Sequence, residues 1–382
     1  METLLIENAK PLLPEGILEH INILIKNGKI AEISTGRSTA DETISLENRE
    51  LYAGFIDVHN HGAVGVDVNE ADADGLLSIA AFLAKNGVTA WVPTLVPDSD
   101  ENYRRVIGAI DELMVLQTDK AVAQAVGVHY EGVFASEQMC GALRPEYFKN
   151  GRNLSVIGEL PRLRRGIHMT TLAPEIEGGI AVIEELVRHG WIVSIGHTKA
   201  DNATLDAALA AGACHMTHFF NAMTGVHHRE VGVAGWGLTN PGVTFDIIAD
   251  GIHVHPKMLG LACRAKGTDK VSLISDSVAP TGQGEGEFEL WGETISVVNG
   301  KTRNERGSIA GSVITMLDSV NRMRSIGFSS DEVSAMASAN PARLLGLEST
   351  RGSIELGKRA DLVAMDADGN VKFTIIGGRL VE

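Results

Sequence analysis

Near its N-terminal end the chain reads Phe55-Ile56-Asp57-Val58-His59-Asn60-His61-Gly62. In an extended backbone, residues two apart point to the same side. His59 and His61 are therefore set to face one point just past the end of a short buried strand, and imidazole is a common metal ligand. A His-x-His pair alone is an ordinary polar loop start. Here, however, ligand-type residues recur at the ends of strand-like runs: Glu131, His197, His218, Asp250 with His253, and Asp276, with His215 at the start of one run. Glu131, His197 and His218 would supply three ligands and leave a position for water, as catalytic divalent metals require. Such a metal lowers the pKa of a bound water from about 15.7 towards about 7. A carboxylate beside that water, Asp276, can take its proton and pass it to a leaving amine. His59 and His61 could hold a second metal, with Glu131 bridging.

A second constellation follows His218 in the run NAMTGVHHRE, which holds Asn221, His227, His228 and Arg229. A guanidinium grips phosphate oxygens two at a time. One loop with an arginine and two imidazoles beside a metal ligand points to a phosphate-bearing substrate.

These residues need a frame that brings strand ends together. Apolar β-type runs occur at 54–58, 89–92, 125–130, 169–172, 192–196, 214–219, 243–249 and 271–275. Amphipathic helical stretches separate many of them, at 71–86, 102–116, 179–189, 202–211 and 256–265. Eight alternating β/α units predict an α/β fold, a (β/α)8 TIM-type barrel, with an open doubly wound sheet as the alternative. Residues 3 to about 50 are instead rich in short β runs, with a hairpin signal at Asn27-Gly28, and the C-terminal end shows three more. The two ends are expected to pair as a small β-sandwich-like domain, 1–50 with 352–382, around a barrel at 51–351. The stretch 284–306 reads as an inserted hairpin that could join the small domain, and 329–345 returns to helix.

Composition narrows the partners. Hydrophobic residues make up 44% and charged residues 21% of 382, an ordinary globular balance. The net charge of −16 argues against nucleic acid, though not against a small anion met by local cations. No stretch approaches a membrane span, and the start shows no signal-peptide pattern. Cys140, Cys214 and Cys263 form neither a disulfide framework nor a metal motif, so a reducing cytoplasm is expected.

The motifs GFIDVHNHG, VHYEG, LAPE, SIGHT, THFFNAM, HHRE, IADGIHVHP, ISDS, AGS and NPARLLG follow one another in the order of the amidohydrolase superfamily. More narrowly the chain resembles the N-acetylglucosamine-6-phosphate deacetylases and their N-acetylgalactosamine-6-phosphate relatives, over nearly its whole length. The resemblance implies the barrel with its small β domain, a homodimer with shared active sites, and one or two divalent metals per subunit, zinc first and iron, manganese or cobalt as alternatives. It matches Glu131, His197 and His218 to metal ligands and Asp276 to the catalytic acid/base. His59 and His61 match the form with a second metal. Asn221, Ala222, His228, Arg229 and His253 fall on sugar-phosphate positions, Arg229 reaching across the dimer.

One departure stands out. Relatives read Glu-Gly-Pro and then Gly-x-His-x-Pro, whose histidine contacts the substrate near the scissile amide. This chain has Glu131-Gly132-Val133, then Gly141-Ala142-Leu143-Arg144-Pro145. Leucine cannot donate that hydrogen bond, and one lost polarising donor costs about 10²–10³ in rate. Arg144 or a second metal must then replace it, or the substrate differs. The expected reaction is hydrolysis of the acetamide of an N-acetyl amino-sugar 6-phosphate. The rivals are another N-acyl or cyclic amide as substrate, and a non-catalytic barrel kept for binding or assembly.

Overall fold

The computed structural model describes residues 3–36 and 38–382. Eight parallel strands form the barrel: Phe55–Asn60, Val88–Leu95, Gly127–Phe134, Ile167–Leu172, Ile192–Ile195, His215–Met216, Thr244–Ile248 and Val271–Ile274. Each pairs with the next in chain order. The sheet closes because strand eight returns to strand one: Asp276 N donates to His59 O at 3.0 Å and His61 N to Ser277 O at 2.8 Å. This rules out the open doubly wound sheet. Strands one to three are buried along their whole length, as a sheet covered on both faces must be.

Helices return the chain between strands. Ala73–Lys85 buries Leu76, Ile79, Ala80 and Leu83, the i, i+3, i+4, i+7 stripe of a helix lying on a sheet. Asp72, Ser99 and Asp201 cap three of these helices by accepting from the backbone N–H three residues on. The sixth strand is only His215–Met216, shorter than the apolar run predicts. The backbone turns into the left-handed region at His218, φ 32°, and leaves the sheet there.

Strands from both chain ends share a second sheet. In it Thr3–Leu13 lies between Ile21–Lys26 and Glu42–Ala53, and Glu42–Ala53 pairs with Leu362–Met365. Asn27 and Gly28 both take positive φ, 52° and 73°, as a two-residue hairpin of right-handed twist requires. The stretch after strand eight is not a hairpin of this sheet. It forms three strands, Gly286–Leu290, Glu293–Val298 and Lys301–Arg303, that among the described residues pair only with one another. Leu290, Trp291 and Ile295 pack instead with Val96, Ala135, Leu143 and Val278 over the barrel mouth. A sheet whose apolar side chains find their partners there has no reason to join the terminal one.

Candidate metal centre and substrate cavity

Six side chains converge at the C-terminal ends of the barrel strands. Glu131, His197 and His218 form one group and His59, His61 and Asp276 another; all six are buried. In the first, Glu131 Oε1 lies 3.2 Å from His197 Nε2 and 3.0 Å from His218 Nε2, and the two nitrogens are 3.1 Å apart. In the second, His59 Nε2 and His61 Nε2 are 3.0 Å apart and lie 3.4 and 3.3 Å from Asp276 Oδ1. Glu131 joins the groups, with Oε1 3.4 Å from His59 Nε2 and Oε2 3.3 Å from His61 Nε2. Donors about 2.0–2.1 Å from a tetrahedral metal stand roughly 3.3–3.4 Å from one another. The observed spacings of 3.0–3.4 Å suit such donors drawn around an ion.

The proton positions support the same reading. His197 Nδ1 sits 2.8 Å from Met139 O, and His61 Nδ1 3.2 Å from Thr94 O. A carbonyl only accepts, so each ring carries its proton on Nδ1 and turns a lone pair towards the cluster. Lone pairs that meet at about 3 Å repel unless a cation lies between them. Without one, burial works against charge on the imidazoles, but the carboxylates outweigh it. Hydrogen bonds to Asp276 and Glu131 hold His61 up at about 10, and Glu131 holds His218 up at about 9. Burial likewise pushes the Glu131 and Asp276 carboxyls up, yet the surrounding imidazoles, His59 foremost, bring both below the usual carboxylate range. A metal must displace these imidazole protons when it binds.

Local backbone aims the ligands. His197, His218 and Asp276 have φ of 49°, 32° and 50°, where residues other than glycine are uncommon. Each strand therefore breaks sharply at its ligand and throws the side chain over the barrel axis. His218 is held there by Asp246, which accepts its backbone N–H, while His215 bonds the same carboxylate at 3.1 Å. His215 is fully buried below the mouth and acts as scaffold. His129 lies under the centre, its ring edge-to-face on His59 with centroids 4.7 Å apart.

Above the metal groups opens a cavity of about 420 Å³. Of the residues singled out from the sequence, His61, Glu131, Gly141, Leu143, His197, His218, Asn221, Ala222, His253 and Asp276 line it. Asp250 orients His253, Oδ2 lying 2.6 Å from its Nδ1, so the far nitrogen remains for a ligand. His227, His228 and Arg229 lie elsewhere: all three are exposed and outside the lining. Arg144, a candidate replacement for the missing histidine, faces away. Its guanidinium donates to Pro97 O and Asp98 Oδ2, both at 2.8 Å, and covers the Tyr147 ring. Leu143 packs in the apolar cluster with Trp291. Trp291 itself was not foreseen. It lines the cavity, lies edge-on to His61 with centroids 5.3 Å apart, and donates Nε1–H to Asp67 at 3.1 Å. Its only sequence signal is a lone tryptophan in a Gly-rich turn, which does not say which surface the turn covers.

Barrel, mouth and donor set together define a metal-assisted hydrolase. The chain belongs to the amidohydrolase family, which it matches over residues 51–381. It is 32% identical over 385 residues to the N-acetylglucosamine-6-phosphate deacetylase of Bacillus subtilis (strain 168), spanning 99% of this chain and 97% of that one. To the N-acetylgalactosamine-6-phosphate deacetylase of Escherichia coli O157:H7 it is 34% identical over 379 residues, 97% of each. The crystal structure of N-acetylglucosamine-6-phosphate deacetylase from Pasteurella multocida superposes with a TM-score of 0.91 at 29% identity, over 99% of both chains.

Proposed function

We propose that the protein hydrolyses the acetamide of an N-acetyl amino-sugar 6-phosphate, releasing acetate and the free amine. The observation that carries the reading is the convergence of two imidazole–carboxylate groups at the floor of a sugar-sized cavity in an amidohydrolase barrel. Full-length likeness to deacetylases of both the gluco and galacto sugars supports the substrate class. Glu131, His197 and His218 would hold one divalent ion, and His59, His61 and Asp276 a second. Nitrogen and oxygen donors at this spacing favour zinc, with iron, manganese or cobalt next. Such an ion supplies an activated water and polarises the amide carbonyl.

The chain's own residues do the rest. Asp276 is, with Glu131, one of two acids lining the cavity. Glu131 sets both oxygens against imidazoles, whereas Asp276 meets them through Oδ1. Asp276 is thus the acceptor for a water proton and its donor to the leaving amine. With Arg144 paired elsewhere, a second ion held by His59, His61 and Asp276 would supply the polarisation that Leu143 cannot. Asn221, Ala222 and His253 hold the sugar. Arg229, exposed and outside the lining of its own cavity, serves the phosphate of a neighbouring subunit in a homodimer, with His228 beside it.

Two coarser features complete the reading. Segments 1–50 and 352–382 act as one folding unit, supported by an apolar cluster drawn from both ends, and 51–351 as another. A cytoplasmic setting suits three free cysteines; none of the described helices is long and apolar enough to cross a membrane.

The test is a panel of N-acyl amino sugars, with and without 6-phosphate, assayed for acid release by metal-loaded protein. Acetate should appear fastest from a 6-phosphorylated acetamido sugar. Turnover confined to unphosphorylated or cyclic amides would reject the substrate class.

A further inference from the structure

Outside the barrel mouth, the seam between the terminal sheet and the segment leading into it holds a second cavity, of about 550 Å³. Among the described residues four cations line it, Lys29, Arg351, Arg359 and Arg379, and no acid does. On a chain of net charge −16 this concentration is unusual. It shares no residue with the metal cavity.

The two central guanidiniums are fixed by one carboxylate. Asp361, almost fully buried, accepts from Arg351 Nη1 through Oδ2; through Oδ1 it accepts from Arg359 Nε at 2.9 Å and from Gly377 N at 2.7 Å. One negative charge thus anchors two positive ones, and both of its oxygens are used. Among the described residues, the remaining N–H groups of both guanidiniums have no hydrogen-bond acceptor. Lys29 Nζ makes no hydrogen bond or ion pair to a described residue, and Arg379 has only Asp119 at 3.7 Å. The backbone makes room for this arrangement. Gly377 has φ +57°, and a Cβ there would lie within 2.4 Å of Arg359 Nη2, so only glycine lets that guanidinium lie across the turn. Arg359 is also bound to the start of the barrel through Asp361, whose carbonyl accepts from Gly54 N at 2.8 Å.

Anchored, planar donors with free N–H edges, flanked by two exposed cations, form a receptor for a compact multiply charged anion. We propose that this cavity binds the dianion of a phosphate group, free or as the monoester of a small metabolite, at a site separate from the metal centre. The inference does not rest on the reaction proposed above.

Binding of inorganic phosphate and of glucosamine-6-phosphate by the metal-loaded full chain tests it, by equilibrium dialysis at low ionic strength. Lys29→Ala/Arg379→Ala removes two exposed cations without touching the buried clamp, and Arg359→Gln keeps a donor for Asp361 but loses the charge. One saturable site per chain, counted beyond the one that an unphosphorylated acetamido sugar displaces from the metal cavity, should weaken about tenfold or more in each variant. Hydrolysis of an unphosphorylated acetamido sugar should stay at its original kcat and KM. Weakening for both anions assigns recognition to the phosphate alone, and weakening for the ester alone assigns it to a phosphorylated metabolite. Unchanged stoichiometry and affinity for both anions in both variants would overturn the proposal.

Discussion

The barrel mouth and the terminal sheet are built on opposite terms. The terminal sheet buries Ile6, Ile23, Ile25, Leu46, Leu51 and Leu362 against one another, and Ile21–Lys26 alternates buried and partly exposed positions along its length. Nothing ionisable lies in that cluster. The mouth instead buries two carboxylates and four imidazoles within contact distance and bends three of their backbones into the left-handed region. Desolvated charge and uncommon backbone are destabilising unless the surroundings compensate them. The stability of this chain therefore resides in regions that take no part in the chemistry, and the reactive groups are held in place by those regions.

Substitutions in each region should separate these roles. The largest effect belongs to the metal ligands: His197→Ala or His218→Ala should lose bound divalent metal and activity together, read by metal content and acetate release. Full turnover after exhaustive chelation would remove the metal from the mechanism. Next, Asp276→Asn should lower kcat by roughly 10²–10⁴ while fold and overall structure persist; a variant of near-normal kcat would strip Asp276 of the proton role. In the terminal sheet, Ile23→Ala should cost about 2–5 kcal/mol of unfolding free energy in denaturant titration yet leave kcat/KM of the folded protein alone. A matching loss of kcat would show that the two regions are not separate.

Smaller effects sharpen the mouth itself. Arg229→Ala should raise KM for the phosphorylated sugar by roughly tenfold to a hundredfold and leave the unphosphorylated one nearly unchanged. A dimer mixing Arg229→Ala with Asp276→Asn chains should then retain one competent site. Equal loss on both sugars would make Arg229 a structural residue. Least of all, Leu143→His puts a polar ring into the apolar cluster beside Trp291 and should shift preference among acyl groups by about tenfold or less. An unaltered acyl profile would mean that this position does not meet the amide.

Much of the mouth was legible because its signals are local. A ligand at the end of an apolar run needs only the period of the strand and the side on which the chain leaves it. The sequence by itself determined the eight strands, the donor types at their ends and the apolar alternation of the terminal strands. It could not determine where long loops send their tips. Arg144 pairs with Asp98, 46 residues away, and so is absent from the cavity. Trp291 reaches His61 across more than half the chain, on a three-stranded sheet that shares its apolar face with the barrel mouth. Arg351 and Arg359 precede Asp361 at spacings that read as ordinary surface charge, and only in the fold does Asp361 accept from both while Gly377 lies against the Arg359 guanidinium at a common cavity. Such placements depend on which distant surfaces bury together, and burial free energy is settled by the whole fold and not by neighbours in the chain.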